Sequence, residues 1–520
     1  MPITRRGLLK AGLTGAFGLA LPVARLAGPI SRMIEAGAVS SPDVARFEVP
    51  LPVPQAIEPS SREADTDYYT ITQREARVEI LPGYQTTIWG YEGSFPGPTI
   101  EARSGRKVVV KMRNELPVPT VTHLHGGVTP PESDGYPLDL TLPLGFDLGK
   151  LEPHVAHATR VRADRCIEGA RTHVYPNQQR AAMLWYHDHR SDFTGPQVYK
   201  GLAGLYIIRD EIEDELELPS GEREVPLMIA DRIFDEDGGL YYPSVDDSLL
   251  GQPGVLPNFA DGVKGDVILV NGAPWPRLEV VGGLYRLRFL NASNARIYEL
   301  ALDPPPETGS SFVQIGSDGG LLERPLGHDR LRMSPAERFD VLVDFGAYQP
   351  GTEVTLRNLR GTGRTAEVMR FAVMRRASED FSPPARLAPP EENAPRPEEA
   401  VRTRDFQFTG HLFGGVSTIN LRPFDPDRID ARPKLGATEI WNLRADPEHP
   451  VHIHLAHFRV LSRDGGPPSP YDAGWKDTVL VPGGNVRVLL RFDGYRGRYV
   501  FHCHNLEHED MMMMANFEVV

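Results

Sequence analysis

The sequence predicts an all-β protein built from several consecutive sandwiches. Three observations carry this expectation. Short runs of β-branched and aromatic residues recur along most of the chain, each bounded by Gly, Pro or Asn. Turn formers are abundant, with 50 Gly and 48 Pro, while 40% hydrophobic residues suffice for globular cores. At 520 residues the chain exceeds a single hydrophobic core, so two or three domains are expected.

Residues 1–45 read as an export signal and linker. Thr4-Arg5-Arg6-Gly7-Leu8-Leu9-Lys10 resembles a twin-arginine signal, and a Gly/Ala/Leu stretch follows to about Ala27. That stretch is short and weakly apolar for a membrane span. The reading implies handling by the twin-arginine export machinery, a periplasmic or extracellular destination and no stable membrane insertion. An ordinary Sec signal or a single anchor is the alternative.

The first domain spans 46–210. Its strands are placed at Ala76–Ile80, Thr86–Tyr91, Lys107–Met112 and Gly204–Ile208, with a Phe95-Pro96-Gly97-Pro98-Thr99 turn cluster. Asp139–Asn177 lacks periodicity and reads as a surface excursion, its His154, His157 and His173 as solvated loop residues. An acidic connector, Asp210–Glu217, leads to a second domain over 218–378. Its strands are placed at Pro226–Ala230, Asp266–Val270, Leu284–Leu290 and Arg338–Phe345. Between His189 and His411 the only histidine is His328, so this domain is expected to space and orient its neighbours. Residues 379–402, rich in Pro and Glu, read as a linker. The third domain, 403–520, repeats the pattern at Phe406–Phe408, Thr438–Leu443, Phe458–Leu461, Val486–Phe492 and Arg498–Phe501.

The formal charge of -14 argues against a nucleic-acid partner, which wants a basic face. The two cysteines are Cys166 and Cys503. If Cys503 binds metal, no internal disulfide remains, and Cys166 is a structural thiol.

The chemistry concentrates in four His-x-His pairs: His123/His125, His187/His189, His452/His454 and His502/His504. Strand alternation puts both imidazoles of a pair on one face. Of 16 histidines, half fall in these pairs, two pairs in each outer domain. Gathered at a domain interface, eight neutral imidazoles can hold three copper ions. In His502-Cys503-His504 the thiol points away from its flanking imidazoles. Cys503, His449, His508 and a methionine then make a His₂Cys site with a weak axial thioether, the blue-copper type. One strand would join the two centres.

These motifs resemble those of the multicopper oxidases, most closely the bacterial spore-coat laccase and bilirubin oxidase branch. The likeness extends to Phe95-Pro96-Gly97-Pro98, Val270-Asn271-Gly272, Asn291-Ala292-Ser293-Asn294, Gly316-Ser317-Asp318-Gly319-Gly320, Pro335-Ala336-Glu337-Arg338-Phe339-Asp340 and Gly474-Trp475-Lys476-Asp477-Thr478. These additional stretches mainly mark the fold. The resemblance implies three cupredoxin-like Greek-key domains and four coppers per chain. It assigns His123 and His452 to the type 2 copper. It assigns His125, His187 and His504 to one type 3 copper, and His189, His454 and His502 to the other. His449, Cys503 and His508 would bind the type 1 copper, with Met513 axial. The neighbouring Met511, Met512 and Met514 read as core packing or as a soft Cu(I) patch. Glu509 and Asp134 match acids that relay protons to the oxygen site.

The implied activity is laccase-like: one-electron oxidation of phenols or aromatic amines coupled to reduction of O₂ to water, by a monomer. An exposed edge of His508 or His449 would take up the electrons. A metallo-oxidase acting on Cu(I) or Mn(II) is the alternative, and a non-catalytic scaffold of the same fold is a third reading. Ser462–Ala473 and Asp139–Asn177 depart from the family pattern, so substrate choice does not carry over.

Overall fold

In the computed structural model the described residues are 39–147, 163–243, 261–378, 381–391, 393–412 and 416–520. The export-signal reading, His154 and His157 lie outside them. Among the described residues no helix is long and apolar enough to cross a membrane.

The described residues form three successive pairs of sheets, with one small two-stranded sheet beside the first, within one unit, residues 41–520. In the first pair a five-stranded sheet centred on Thr66–Val78 and Lys107–Asn114 faces a four-stranded sheet. The latter runs Gly97–Arg103, Ala203–Arg209, Ala182–Asp188, Thr122–His125. The middle pair combines seven strands around Leu284–Asn291 with five around Glu353–Asn358. In the third pair Val416–Ile419, Arg402–Leu412, Thr438–Asp446, Gly484–Arg491 and Phe458–Arg463 face Thr478–Val481, His449–Ile453, Gly497–Cys503 and Met514–Val519.

Every strand expected from the sequence is present, and most run further than their β-branched cores. Phe406–Phe408, for example, is the middle of Arg402–Leu412. Hydrogen bonding to neighbours recruits flanking polar residues that propensity alone leaves out. The cores follow the alternation. In the third domain Trp441, fully buried, packs against Phe406, Phe492, Phe501 and Phe517. This cluster sits beneath the strand that ends at Cys503.

Two expectations need correction. His173 is not a solvated loop residue. It lies on the strand Ala170–Tyr175, paired with Lys107–Asn114, and is 1% exposed. Burial pushes its pKa down to about 4. The linker is also less free than its composition implies. Leu387 is buried against Leu218, Ile315 and Leu322, and its amide donates to the Glu323 carbonyl at 3.0 Å.

The acidic connector supplies a clamp between the first two domains. Asp210 caps the short helix Glu211–Asp214, and Glu213 turns inward. Its carboxylate accepts from Arg209 at 2.7 Å, Arg286 at 2.7 Å and Arg288 at 2.8 Å. Glu224 accepts from Arg209 and Arg288, each at 2.6 Å. Burial opposes both charges, yet Arg288, Arg286 and Arg209 hold both carboxyls down at about 2. A carboxylate whose folded pKa is depressed stabilises the fold above its unfolded value and loses that contribution as pH falls through the folded one. The clamp should therefore persist at neutral pH and fail between pH 4.5 and about 2. Glu213→Gln should lower stability at neutral pH and flatten the stability profile across that window. Parallel profiles for variant and parent in denaturant titrations would remove the clamp from the account.

Candidate metal centre

The two four-stranded sheets of the outer domains carry all the paired histidines. Thr122–His125 lies antiparallel to Ala182–Asp188, which sets His123 opposite His187. His449–Ile453 lies antiparallel to Gly497–Cys503, which sets His452 opposite His502 and Val451 opposite Cys503. His189, His454 and His504 lie one residue past their strand ends and are buried like the rest.

The eight imidazoles converge in one closed space. His189 and His454 bring Nε2 to 3.2 and 3.3 Å from Nε2 of His502. The ring of His504 lies 5.0 Å from that of His125 and 5.3 Å from that of His187. His123 and His452, 5.7 Å apart, stand between these groups. The fully buried Trp185 stacks on His187 at 4.1 Å and walls one side.

Most of these rings are held from behind. His187 Nδ1 lies 2.8 Å from the Asp188 carbonyl, and His452 Nδ1 lies 2.9 Å from the Asp477 carbonyl. Among the described residues their other nitrogens have no hydrogen-bond partner, nor do Nε2 of His123, Nδ1 of His125 or either nitrogen of His504. Burial, reinforced by neighbouring imidazoles, pushes His123, His125, His189, His454 and His504 well below the usual histidine range. Burial, with smaller contributions from His452 and His502, brings His187 down to about 3. Neutral imidazoles with unpartnered nitrogens facing one cavity form a donor set suited to metal ions.

The thiol site lies on the other face of the Gly497–Cys503 strand. Cys503 Sγ is 3.4 Å from His449 Nδ1 and 3.6 Å from His508 Nδ1, and the two nitrogens are 3.0 Å apart. The point equidistant from the three atoms is about 1.9 Å from each, close to the ~2.0–2.3 Å typical of metal bonds to imidazole and thiolate. Without a metal, burial pushes the Cys503 thiol far up, so a bound cation is what would favour the thiolate.

The methionine run divides. Met513, fully buried, belongs to the core that holds Cys503, and its carbonyl accepts from the Cys503 amide at 3.1 Å. Met512 and Met514 pack instead with Tyr136, Leu138, Phe424 and Val500. Met512 adopts φ 84°, which breaks the alternation. Met511 is also buried, at 7% exposure. Of the two thiol-site histidines, only His508 keeps any accessible surface, 4%.

Both predicted acids touch the imidazole cluster. Asp134 Oδ2 lies 2.8 Å from His454 Nδ1. Glu509 Oε2 lies 3.1 Å from His502 Nδ1, and its Oε1 accepts from the Thr194 hydroxyl at 2.8 Å. Burial raises the Asp134 carboxyl well above the carboxylate range. Cys166 is half-buried beside Val121, Leu140 and Leu142.

The sequence reading missed a third acid. Asp477 Oδ1 lies 3.0 Å from His125 Nε2, and Arg338 binds the same carboxylate at 2.7 Å. Burial opposes the charge, but Arg338 and then His125 hold it well below the usual range. Behind it, buried Lys476 lies 3.2 Å from both Asp318 and Glu337. Three stretches read as fold markers thus meet behind the cluster. Their charges at apolar spacing were the available signal.

Partners behind a metal-binding histidine typically carry 10–100-fold in affinity. Asp477→Asn should cost about that much at the His125 end of the cluster. Titrating the apoprotein with Cu(I) under a competing chelator measures it; parent-like affinity would reduce Asp477 to a structural group.

Comparison with known proteins places this geometry. Residues 72–143 and 392–520 match the multicopper oxidase family profile. The laccase of Bacillus stratosphericus is 39% identical over 92% of this chain and 100% of its own length. The bilirubin oxidase of Albifimbria verrucaria is 33% identical, covering 96% of this chain and 85% of its own. The crystal structure of a laccase from Pediococcus acidilactici superimposes with a TM-score of 0.79 at 32% identity, covering 93% of this chain and 96% of that one. The three sheet pairs are the cupredoxin-like domains of such structures. The chain is a member of the multicopper oxidase family, on its laccase and bilirubin oxidase side.

Proposed function

We propose that this chain is a laccase-like oxidase that draws single electrons from phenols or aromatic amines and delivers them in fours to O₂. The observation that carries the reading is the position of Cys503 and His502, adjacent in sequence and facing opposite sites across one strand. Copper bound there would supply one-electron uptake at the thiol site and four-electron reduction of O₂ to water at the imidazole cluster.

We assign His449, Cys503, His508 and Met513 as the residues that would hold a type 1 copper. His123 and His452 take the type 2 copper. His125, His187 and His504 take one type 3 copper, and His189, His454 and His502 the other. The count is four per chain. The division of the methionines between two cores supports Met513 as the one that would join that site. His508, with its sliver of accessible surface, is the edge that faces the donor. The backbone from Cys503 to His502 and His504 is the shortest covalent path between the sites.

The acids carry protons. Asp134, 2.8 Å from His454 Nδ1, is the relay acid on the first-domain side of the cluster. Glu509, between the Thr194 hydroxyl and His502, passes protons inward. We place the mature chain outside the cytoplasm, delivered as a folded monomer by twin-arginine export, with domains over 46–210, 218–378 and 403–520. The N-terminal arginine pair supports the route. All ten histidines and Cys503 are present, which counts against a non-catalytic scaffold.

In the copper-loaded protein, Cys503→Ser should abolish the blue band and turnover while the imidazole cluster keeps its metal. Normal turnover in that variant would refute the strand path. Met513→Leu should raise the type 1 potential, and an unchanged value would point to another methionine. Glu509→Gln and Asp134→Asn should slow reoxidation by O₂ about 10²–10⁴-fold while sparing reduction by the donor, as loss of proton transfer does. Stopped-flow absorbance resolves the two half-reactions; equal slowing of both would sink the relay. Rates with a methoxyphenol, Cu(I) and Mn(II), taken side by side, separate a laccase from a metallo-oxidase.

A further inference from the structure

The helix Leu506–Asp510 is only five residues long and wholly buried. It carries His508 between two acids, Glu507 and Asp510, that the copper assignment leaves unused. Glu507 reaches into the middle domain. It accepts from the Tyr242 hydroxyl at 2.9 Å, the Val263 amide at 3.0 Å and Asn294 Nδ2 at 2.8 Å. Asp510 reaches into the first domain and accepts from the amides of Thr194 at 2.9 Å and Gly195 at 2.7 Å. Asn294 closes the ring by donating also to the Gly195 carbonyl at 3.0 Å.

The junction is as tight as it is bonded. A Cβ on Gly195 would stand 2.9 Å from Asp510 Oδ2, 2.9 Å from the Tyr242 hydroxyl and 3.2 Å from Glu507 Oε1. Only glycine lets the three domains approach this closely.

A helix of little more than one turn has few internal hydrogen bonds, so its own backbone does not fix its orientation. Asn505 and the Met513 amide close its two ends locally, and the side-chain bonds that anchor it to the other domains come from outside. Glu507 adjoins His508, and Asp510 follows two residues on, so any tilt or rotation these acids permit is handed to the imidazole. Redox centres of this kind respond to such displacements, because ligand orientation and the hydrogen bonds behind it tune the metal.

We propose that Glu507, Asp510 and Asn294 are positioning residues. They form a clasp by which the first and middle domains fix the aim of His508 toward Cys503 and so set the type 1 reduction potential. The proposal rests on the type 1 assignment above. It needs no change of charge on either acid; the hydrogen-bond geometry is the device.

Two substitutions in the middle domain test it without altering the third. Asn294→Ala removes the bonds to Glu507 and Gly195; Tyr242→Phe removes one bond to Glu507 and keeps the ring. Each copper-loaded variant is compared with the parent by copper content, visible absorption, electron paramagnetic resonance and redox titration of the blue band. The clasp predicts parental copper content, a shifted or weakened blue band and a displaced potential, larger for Asn294→Ala than for Tyr242→Phe. A blue band and potential identical to the parent in both, whatever their thermal stability, would overturn it. If Asn294→Ala does not fold, Tyr242→Phe decides by the same criteria. A copper-loaded parent with no blue band would instead refute the type 1 assignment itself.

Discussion

The architecture hangs on a buried ion pair. Arg338 of the middle domain grips Asp477 of the third, and Asp477 holds His125 of the first. Three chain segments that share no sheet are thereby tied within a few ångströms. The same guanidinium donates to the Met183 carbonyl at 3.1 Å, on the strand that also bears His187. Burying such charges is costly, and a buried pair alone is weak support for stability. Here the carboxylate has two jobs at once. It satisfies a guanidinium and fixes the tilt of an imidazole. That dual duty explains why apolar residues do not occupy the site.

This gives the middle domain its meaning. It has no paired histidines, and among the described residues it contributes no donor to the cluster. It supplies instead Arg338, Asp318 and Glu337 on one side and Asn294 on the other, so both sites are braced from it. The connector adds Glu213 and its three arginines at the boundary with the first domain. The outer domains are held by directed bonds at several points, which suits a cluster whose donors come from both.

Much of this was legible in the sequence because strand periodicity is local. His502, Cys503 and His504 could be sorted onto faces by counting, and the strand cores could be found from their β-branched runs. The strand ends were less visible, since pairing rather than propensity decides them. The partners behind the metal site were not visible at all. His125 and Asp477 are 352 residues apart, and no spacing rule links them. His173 failed for a related reason. The residues before it, Arg171 and Thr172, look exposed, but the turn Pro131–Ser133 meets the ring, with the Ser133 carbonyl 3.3 Å from Nδ1, and Tyr175 stacks beside it.

The register of Gly497–Cys503 against His449–Ile453 carries one more implication. Side chains alternate with a period of two, so a slip by one residue would exchange every occupant of the two faces. The sulfur would enter the space where the paired imidazoles converge, and an imidazole would replace it among the aromatic rings. No single point substitution reverses such an exchange. This ribbon should therefore tolerate changes of residue far better than changes of length, and its history should be written in replacements rather than gaps.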